Sequence, residues 1–270
     1  MDSQKKYEEL TIKDPFMFGK ICSIAENRTL ILDALLQIDL QENSGEVEKY
    51  IKAYRDSKAS RLDLLVQDVE GKVYNAEMQN KSENRNIQKE LPKRSRYYQS
   101  NLDTAYFESG KDYINLPETY IVFICTFDPF GKGEPYYRFE TRCVNIEVDY
   151  DEKAYKIFFN TTGNLEKLPT SVRNMLSYIE TGIAVDEATS VLENEVNTAK
   201  IREDWKADYM HTLAHDMDVK REGRESRQPE IDKLTADNAA LTAEKADLAA
   251  KLAEAKAENE KLRALIKKNS

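Results

Sequence analysis

The chain of 270 residues holds only three cysteines, Cys22, Cys125 and Cys143, too few and too far apart for a disulfide framework. None shows the Cys-x-x-Cys spacing of a zinc or redox site, so reduced thiols in a cytoplasmic protein are expected. The only histidines, His211 and His215, lie four apart, but no Glu stands between them in the metalloprotease arrangement and no third ligand is evident. A half-buried pair on a helix surface is expected there. No eighteen apolar residues run together, and Met1 to Thr11 is polar without an apolar stretch, so neither secretion nor membrane spanning is expected. A basic excess is missing too: 40 Lys+Arg against 49 Asp+Glu leave a net charge of -9, which excludes a generally basic nucleic-acid coat protein. Any contact with DNA must be local. Apolar residues are plentiful at 40%, enough for a real core in one large domain or two small ones.

Composition changes abruptly near Pro229. Residues 230–270 have no glycine, proline or aromatic residue and consist mostly of Ala, Glu, Lys, Leu, Asp and Asn. Leu234, Leu241, Leu248, Ala255 and Leu262 recur in sevens, and Ile231, Asn238, Lys245, Leu252, Asn259 and Ile266 occupy the companion position. This is the pattern of a leucine zipper of about five heptads. Leu at d with Asn238 and Asn259 at a favours a parallel pair of helices, because paired Asn side chains bond across a two-stranded seam and are stranded in other registers. A homodimer through residues 230–270 is therefore expected, the alternative being a lone solvated helix. Three regions follow: a core over 1–165, a helical region over 166–228, and a coiled coil over 229–270.

Within 166–228, Leu168, Val172, Met175, Leu176 and Ile179 form an apolar stripe that Gly182 is placed to end. A further helix is expected to start near Asp186, carry Trp205, and break up in the charged run Lys220 to Arg227.

The informative segment is Arg61 to Lys81, RLDLLVQDVEGKVYNAEMQNK. Val69-Glu70-Gly71 fits a three-residue hairpin loop with Gly in the left-handed position, closed by Asp68 opposite Lys72. Paired residue numbers then sum to 140, so Leu62 faces Met78, Leu64 faces Ala76 and Val66 faces Tyr74, an apolar core face. On the other face Asp63 lies opposite Glu77, flanked by Asn75 and Gln79. Two carboxylates so close repel, and a hard divalent cation with oxygen ligands, Mg²⁺ or Mn²⁺, relieves that repulsion. The competing reading is an exposed polar sheet face on which both acids are merely solvated.

A basic stretch follows, with Lys81, Arg85, Lys89, Lys93, Arg94 and Arg96 against Glu83 and Glu90. Pro92 suits the first turn of a helix whose inner side buries Tyr98, Leu102 and Ala105, leaving Lys93, Arg94 and Arg96 as an outward patch for DNA. Tyr120 to Cys125, YIVFIC, reads as a central strand covered on both faces. A helix over about Asp14 to Ile38 precedes these elements.

The Asp63…Glu77-x-Gln79 arrangement, with RLD, YNAEMQ, the later RYYQ at Arg96 to Gln99 and an N-terminal DPFMFGK, resembles the PD-(D/E)xK nuclease superfamily. More closely it is similar to the recombination-promoting nuclease, or putative transposase, family within it, over about residues 10–225. The resemblance implies an α/β fold, a restriction-endonuclease-like mixed sheet flanked by helices, here followed by helical connectors and the coiled coil. It also implies Mg²⁺-dependent hydrolysis of DNA phosphodiesters, linked to recombination and mobile elements. Asp63 and Glu77 match the metal-binding acids, and Gln79 matches the position where the general pattern has Lys. Glutamine brings no charge to that position. Lys81, of the same strand parity, is a candidate for the missing cation, or an ordinary lysine at a strand end. Asp14 is either a further acidic site residue or the cap of the helix that Pro15 opens. Two rival readings stand beside the nuclease: a catalytically weak DNA-binding scaffold acting through its zipper, and a structural coiled-coil adaptor.

Overall fold

The computed structural model describes residues 5–51, 60–80, 86–107, 110 and 112–268. The chain divides into two units, Met1–Tyr209 and Met210–Ser270.

The first unit opens with α1 (Pro15–Cys22) and α2 (Ala25–Leu36). The single helix expected here is two, because the chain turns at Ser23, whose hydroxyl donates to the Lys20 carbonyl at 2.6 Å. The carbonyls of Cys22 and Ser23, freed by the turn, accept from the Arg28 guanidinium at 3.3 and 3.1 Å, and the same guanidinium pairs with Glu42. Gly45 lets that side chain pass, since a Cβ there would lie 2.4 Å from Arg28 Nε.

Among the described residues six strands follow in one mixed sheet of order β1-β2-β3-β4-β6-β5: β1 (Glu42–Ile51), β2 (Ser60–Asp68), β3 (Val73–Gln79), β4 (Thr119–Cys125), β5 (Tyr136–Phe139) and β6 (Ala154–Asn160). The β1-β2, β2-β3 and β5-β6 pairs are antiparallel, and β3-β4 and β4-β6 are parallel. A parallel neighbour requires a crossover. Between β3 and β4 that crossover contains helix α3 (Ile87–Tyr106).

The β2-β3 hairpin has the expected register at Leu64↔Ala76, Leu65↔Asn75, Val66↔Tyr74 and Gln67↔Val73. The ladder stops short of the expected Asp63–Glu77 and Leu62–Met78 pairs, and Leu62 packs with Leu65 and Val73 in the cluster against α3 instead of on the Leu64 face. Gly71 sits at φ 84°, a conformation in which a Cβ is strained, and Asp68 N–H donates to Lys72 O at 3.0 Å to close the loop. Because side chains alternate, each central strand buries two sets of residues. Leu65, Val73, Ile121, Phe123, Cys125 and Phe158 pack with Leu91, Tyr98 and Leu102 of α3. The alternate residues Leu64, Tyr74, Ala76, Val122, Ile124, Ile157 and Phe159 are buried as well. YIVFIC is thus the doubly covered strand expected, and β3 is covered on both sides too. Among the described residues β3 presents no solvated face, so Glu77 is not the solvated acid of the competing reading, whereas Asp63 on β2 is half-buried.

Two details of α3 differ from expectation. It begins at Ile87, so Pro92 lies inside the helix and not in its first turn, and Ala105 is exposed. After β6 come α4 (Thr170–Thr181) and α5 (Glu187–Lys200). The α4 stripe buries Val172, Met175, Leu176 and Ile179, and Gly182 ends the helix at φ 74°. Asp186 caps α5, accepting from Thr189 N at 2.9 Å. The break expected in the charged run comes earlier, at Ile201 and Arg202, before α6 (Glu203–Lys268). Trp205, at the start of α6, is 9% exposed and lies under the Arg202 guanidinium at 4.2 Å and the Lys20 ammonium at 5.6 Å from its ring centroid.

The second unit is the part of α6 beyond Tyr209. The run from Lys220 to Arg227 is helical through Gly223, consistent with its Lys, Arg and Glu residues and the Asp218–Arg221 and Arg221–Glu225 pairs at 2.9 and 3.9 Å. Pro229 also lies within the helix. Ile231, Leu234, Leu241, Leu248, Leu252 and Leu262 are all half exposed or more, and both histidines are exposed. Among the described residues no helix is long and apolar enough to cross a membrane.

Candidate active site

The site forms where the β2-β3 ladder gives way to side chains. One step beyond Leu64↔Ala76, Asp63 N–H donates to Glu77 Oε1 at 3.0 Å, and Met78 N–H donates to Asp63 Oδ2 at 3.1 Å. Each acid thus accepts a backbone N–H associated with the other strand. This reciprocal exchange fixes both carboxylates without strand pairing at that step, and charge-assisted bonds of this type are the stronger ones. The opposed acids inferred from the register are therefore brought together.

Their environments differ. Asp63 is half-buried, whereas Glu77 is 0% exposed, lying beside Phe123 on the face that α3 covers. Buried carboxylates require partners. Glu77 Oε1 also accepts from Asn75 Nδ2 at 3.1 Å, and Oε2 accepts from Arg94 Nη2 at 2.7 Å. Arg94 Nη1 donates to Gln79 Oε1 at 2.8 Å, and Nε donates to the Tyr98 hydroxyl at 2.7 Å. Burial first, then the charge of Glu77, push the Tyr98 hydroxyl up to about 12, so it meets the guanidinium as a neutral acceptor. Asn75 Oδ1 is buried without a hydrogen-bond partner among the described residues.

Arg94, expected on the outward face, turns inward. The signal was present in the helix period: Leu91, Arg94, Tyr98 and Leu102 fall on one stripe, three of them buried and the fourth carrying its charge to Glu77. Lys93 and Arg96 remain exposed, as does Lys89. Lys81 lies outside the described residues. Asp14 holds the N-cap position but makes no side-chain cap bond; its carboxylate turns back to Thr11 N and Oγ1 at 2.8 and 3.0 Å and to Lys5 Nζ at 2.7 Å.

Burial, followed by the Asp63 charge, pushes the Glu77 carboxyl up to about 8, against the pull of Arg94, Asn75 and the Asp63 N–H. An acid whose folded pKa is raised holds its proton in the folded state over a range where the unfolded chain has lost it. Its contribution to stability is fully present below about pH 4.5 and is lost as pH rises through about 8. We expect the metal-free protein to weaken over this window, by at most about 1.4 kcal/mol per pH unit from this group. Asp63→Asn keeps an acceptor for Met78 N–H and removes the repulsion, so its urea midpoint should fall less steeply between pH 5 and 8. Equal slopes for both proteins would contradict the coupling.

The donor set consists of oxygen: two carboxylates and the Gln79 amide oxygen. No group of three or more His, Cys, Asp or Glu suited to a metal occurs among the described residues. Mg²⁺ is ordinarily held by one or two carboxylates, with water and substrate phosphates completing its shell, so this set suits a hard divalent cation.

Residues 9–153 match the family model described as PD-(D/E)XK nuclease family transposase. No curated protein and no solved structure matches the chain. The matched span contains the acid-bearing hairpin, helix α3 and strand β4, which together build the site. With more than half its length inside that match, the chain belongs to the PD-(D/E)XK nuclease family transposases.

Proposed function

We propose that this protein is a metal-dependent DNA endonuclease that hydrolyses phosphodiester bonds, linked to recombination or mobile elements and acting in the cytoplasm. The observation carrying the reading is the reciprocal bonding of Asp63 and Glu77, which holds two acids together at the open end of a hairpin. Both residues would hold Mg²⁺ or Mn²⁺. Such an ion supplies Lewis-acid charge at a phosphoryl group and lowers the pKa of a coordinated water. The chain's own part is preorganisation: backbone N–H bonds restrain both carboxylates before substrate arrives, so little reorganisation is left for the reaction. Lys89, Lys93 and Arg96 lie on the exposed side of the helix that covers the site, spaced four and three residues apart as neighbours on one stripe. They attract the phosphate backbone in a salt-dependent, sequence-independent manner.

One observation favours the non-catalytic DNA-binding scaffold: both Glu77 oxygens already have partners within the chain. Metal binding separates the readings. For the nuclease, Mn²⁺ at about one hundred times its Kd should stabilise the fold by roughly 2.7 kcal/mol, and supercoiled plasmid should be cut with the ion and left intact in chelator. For the scaffold, Mn²⁺ leaves both the melting temperature and the plasmid unchanged.

A further inference from the structure

Position 79 leaves the site without the cation that the general pattern provides there, since a glutamine amide carries no charge. A cation nevertheless occupies the site from another element. The Arg94 guanidinium is fixed by three donated bonds, to Glu77, Gln79 and Tyr98, and its carbon lies 5.0 Å from the Tyr98 ring centroid and 5.5 Å from that of Phe123. A guanidinium has five N–H groups in a planar fork. Those bonds use three and leave one N–H on each terminal nitrogen. The side chain is 34% exposed while Glu77 beneath it is 0% exposed, so the guanidinium is held from below and remains accessible. A carboxylate and an amide side by side suit a planar fork better than the point charge of a lysine ammonium.

We propose that Arg94 supplies, from helix α3, the positive charge that position 79 lacks: three N–H groups hold Glu77, Gln79 and Tyr98, and the two terminal N–H groups left over receive a phosphate oxygen of the nucleic-acid backbone. Gln79 then works as a strut for the guanidinium. This assignment rests on the nuclease reading and can be tested separately from it.

The test compares wild type, Arg94→Gln and the double variant Arg94→Gln/Gln79→Lys at one ionic strength. The readouts are metal-free affinity for a short DNA duplex, thermal melting, and Mn²⁺-dependent plasmid cleavage. Arg94→Gln should lose about 10²-fold in cleavage, the scale of one preorganised donor, and several-fold in DNA affinity. The double variant restores a cation beside Glu77 and should recover at least about tenfold of the cleavage. A merely structural Arg94 would move melting and cleavage together and leave the metal-free DNA affinity of the folded variants unchanged. If Arg94→Gln does not fold, the double variant decides: recovery of fold and cleavage supports the assignment, while a double variant that fails to fold, or folds and does not cleave, overturns it. If wild type itself does not cleave, the nuclease reading fails. Arg94 is then judged on DNA affinity alone, and equal Kd values for wild type and Arg94→Gln overturn the assignment.

Discussion

Asp63→Ala is expected to lower metal-dependent plasmid cleavage by at least about 10³-fold, equivalent to roughly 4 kcal/mol of transition-state stabilisation, while the protein stays folded. Glu77→Ala should remove cleavage to the same extent with a different effect on the fold. Truncating Asp63, which is half-buried, relieves the repulsion on Glu77 and takes the acceptor from Met78 N–H. Truncating Glu77 strips the acceptor from Asp63 N–H, Asn75 Nδ2 and Arg94 together, and of these Asn75 is fully buried. Each buried donor left unmet costs about 1–3 kcal/mol, so the alanine variant is expected to melt far earlier than wild type. Glu77→Gln, which keeps the shape and an acceptor oxygen, is the cleaner chemical test. Cleavage rates with saturating Mn²⁺, read beside melting curves, check both statements. An Asp63→Ala protein that cuts as wild type does would remove Asp63 from the site.

The second large effect concerns assembly. Light scattering on the full chain at micromolar concentration is expected to give twice the monomer mass of 31.2 kDa. Replacing Leu241 and Leu248 together with Asp should give the monomer mass. Both leucines are more than half exposed on the single chain, and burying a leucine side chain is worth about 1.5–3 kcal/mol. Losing two on each of two helices should weaken association by at least about 10³-fold even before the introduced charges repel. A wild-type monomer under these conditions would contradict the coiled coil, and residues 230–270 would then be a solvated helix.

Much of the hairpin was legible because it depends on short-range rules. A left-handed glycine closes a three-residue loop, and the pleat period then decides which residue opposes which, without reference to the rest of the chain. The opposition of Asp63 and Glu77 followed from that count. The burial of Glu77 did not follow, because it depends on what lies over the strand. Alternating polarity on β3 resembles a solvated face until α3 is placed on it, and the length of the crossover does not place it. Arg94 shows the same limit: its charge argued for an outward position, and only the periodicity it shares with Leu91, Tyr98 and Leu102 argued for an inward one. Breaks and continuations of helices were harder to read. Ser23 ends α1 by turning its hydroxyl back to Lys20 O while Arg28 takes up the carbonyls of Cys22 and Ser23, a tertiary arrangement. The charged run expected to break the helix continues it through Gly223 on flanking Arg and Glu residues that favour it.

The position of Trp205 provides a way to observe the two units independently. It is the only tryptophan of the chain, lies in the first unit, and is shielded there against Arg202 and Lys20. Every tyrosine and phenylalanine likewise precedes Met210. Intrinsic fluorescence and near-ultraviolet dichroism should therefore report the sheet-containing unit alone, while far-ultraviolet dichroism records both. If the helix beyond Tyr209 melts on its own, the far-ultraviolet signal will change at temperatures where tryptophan emission has not moved, and that first step will shift with protein concentration as a dimer's must.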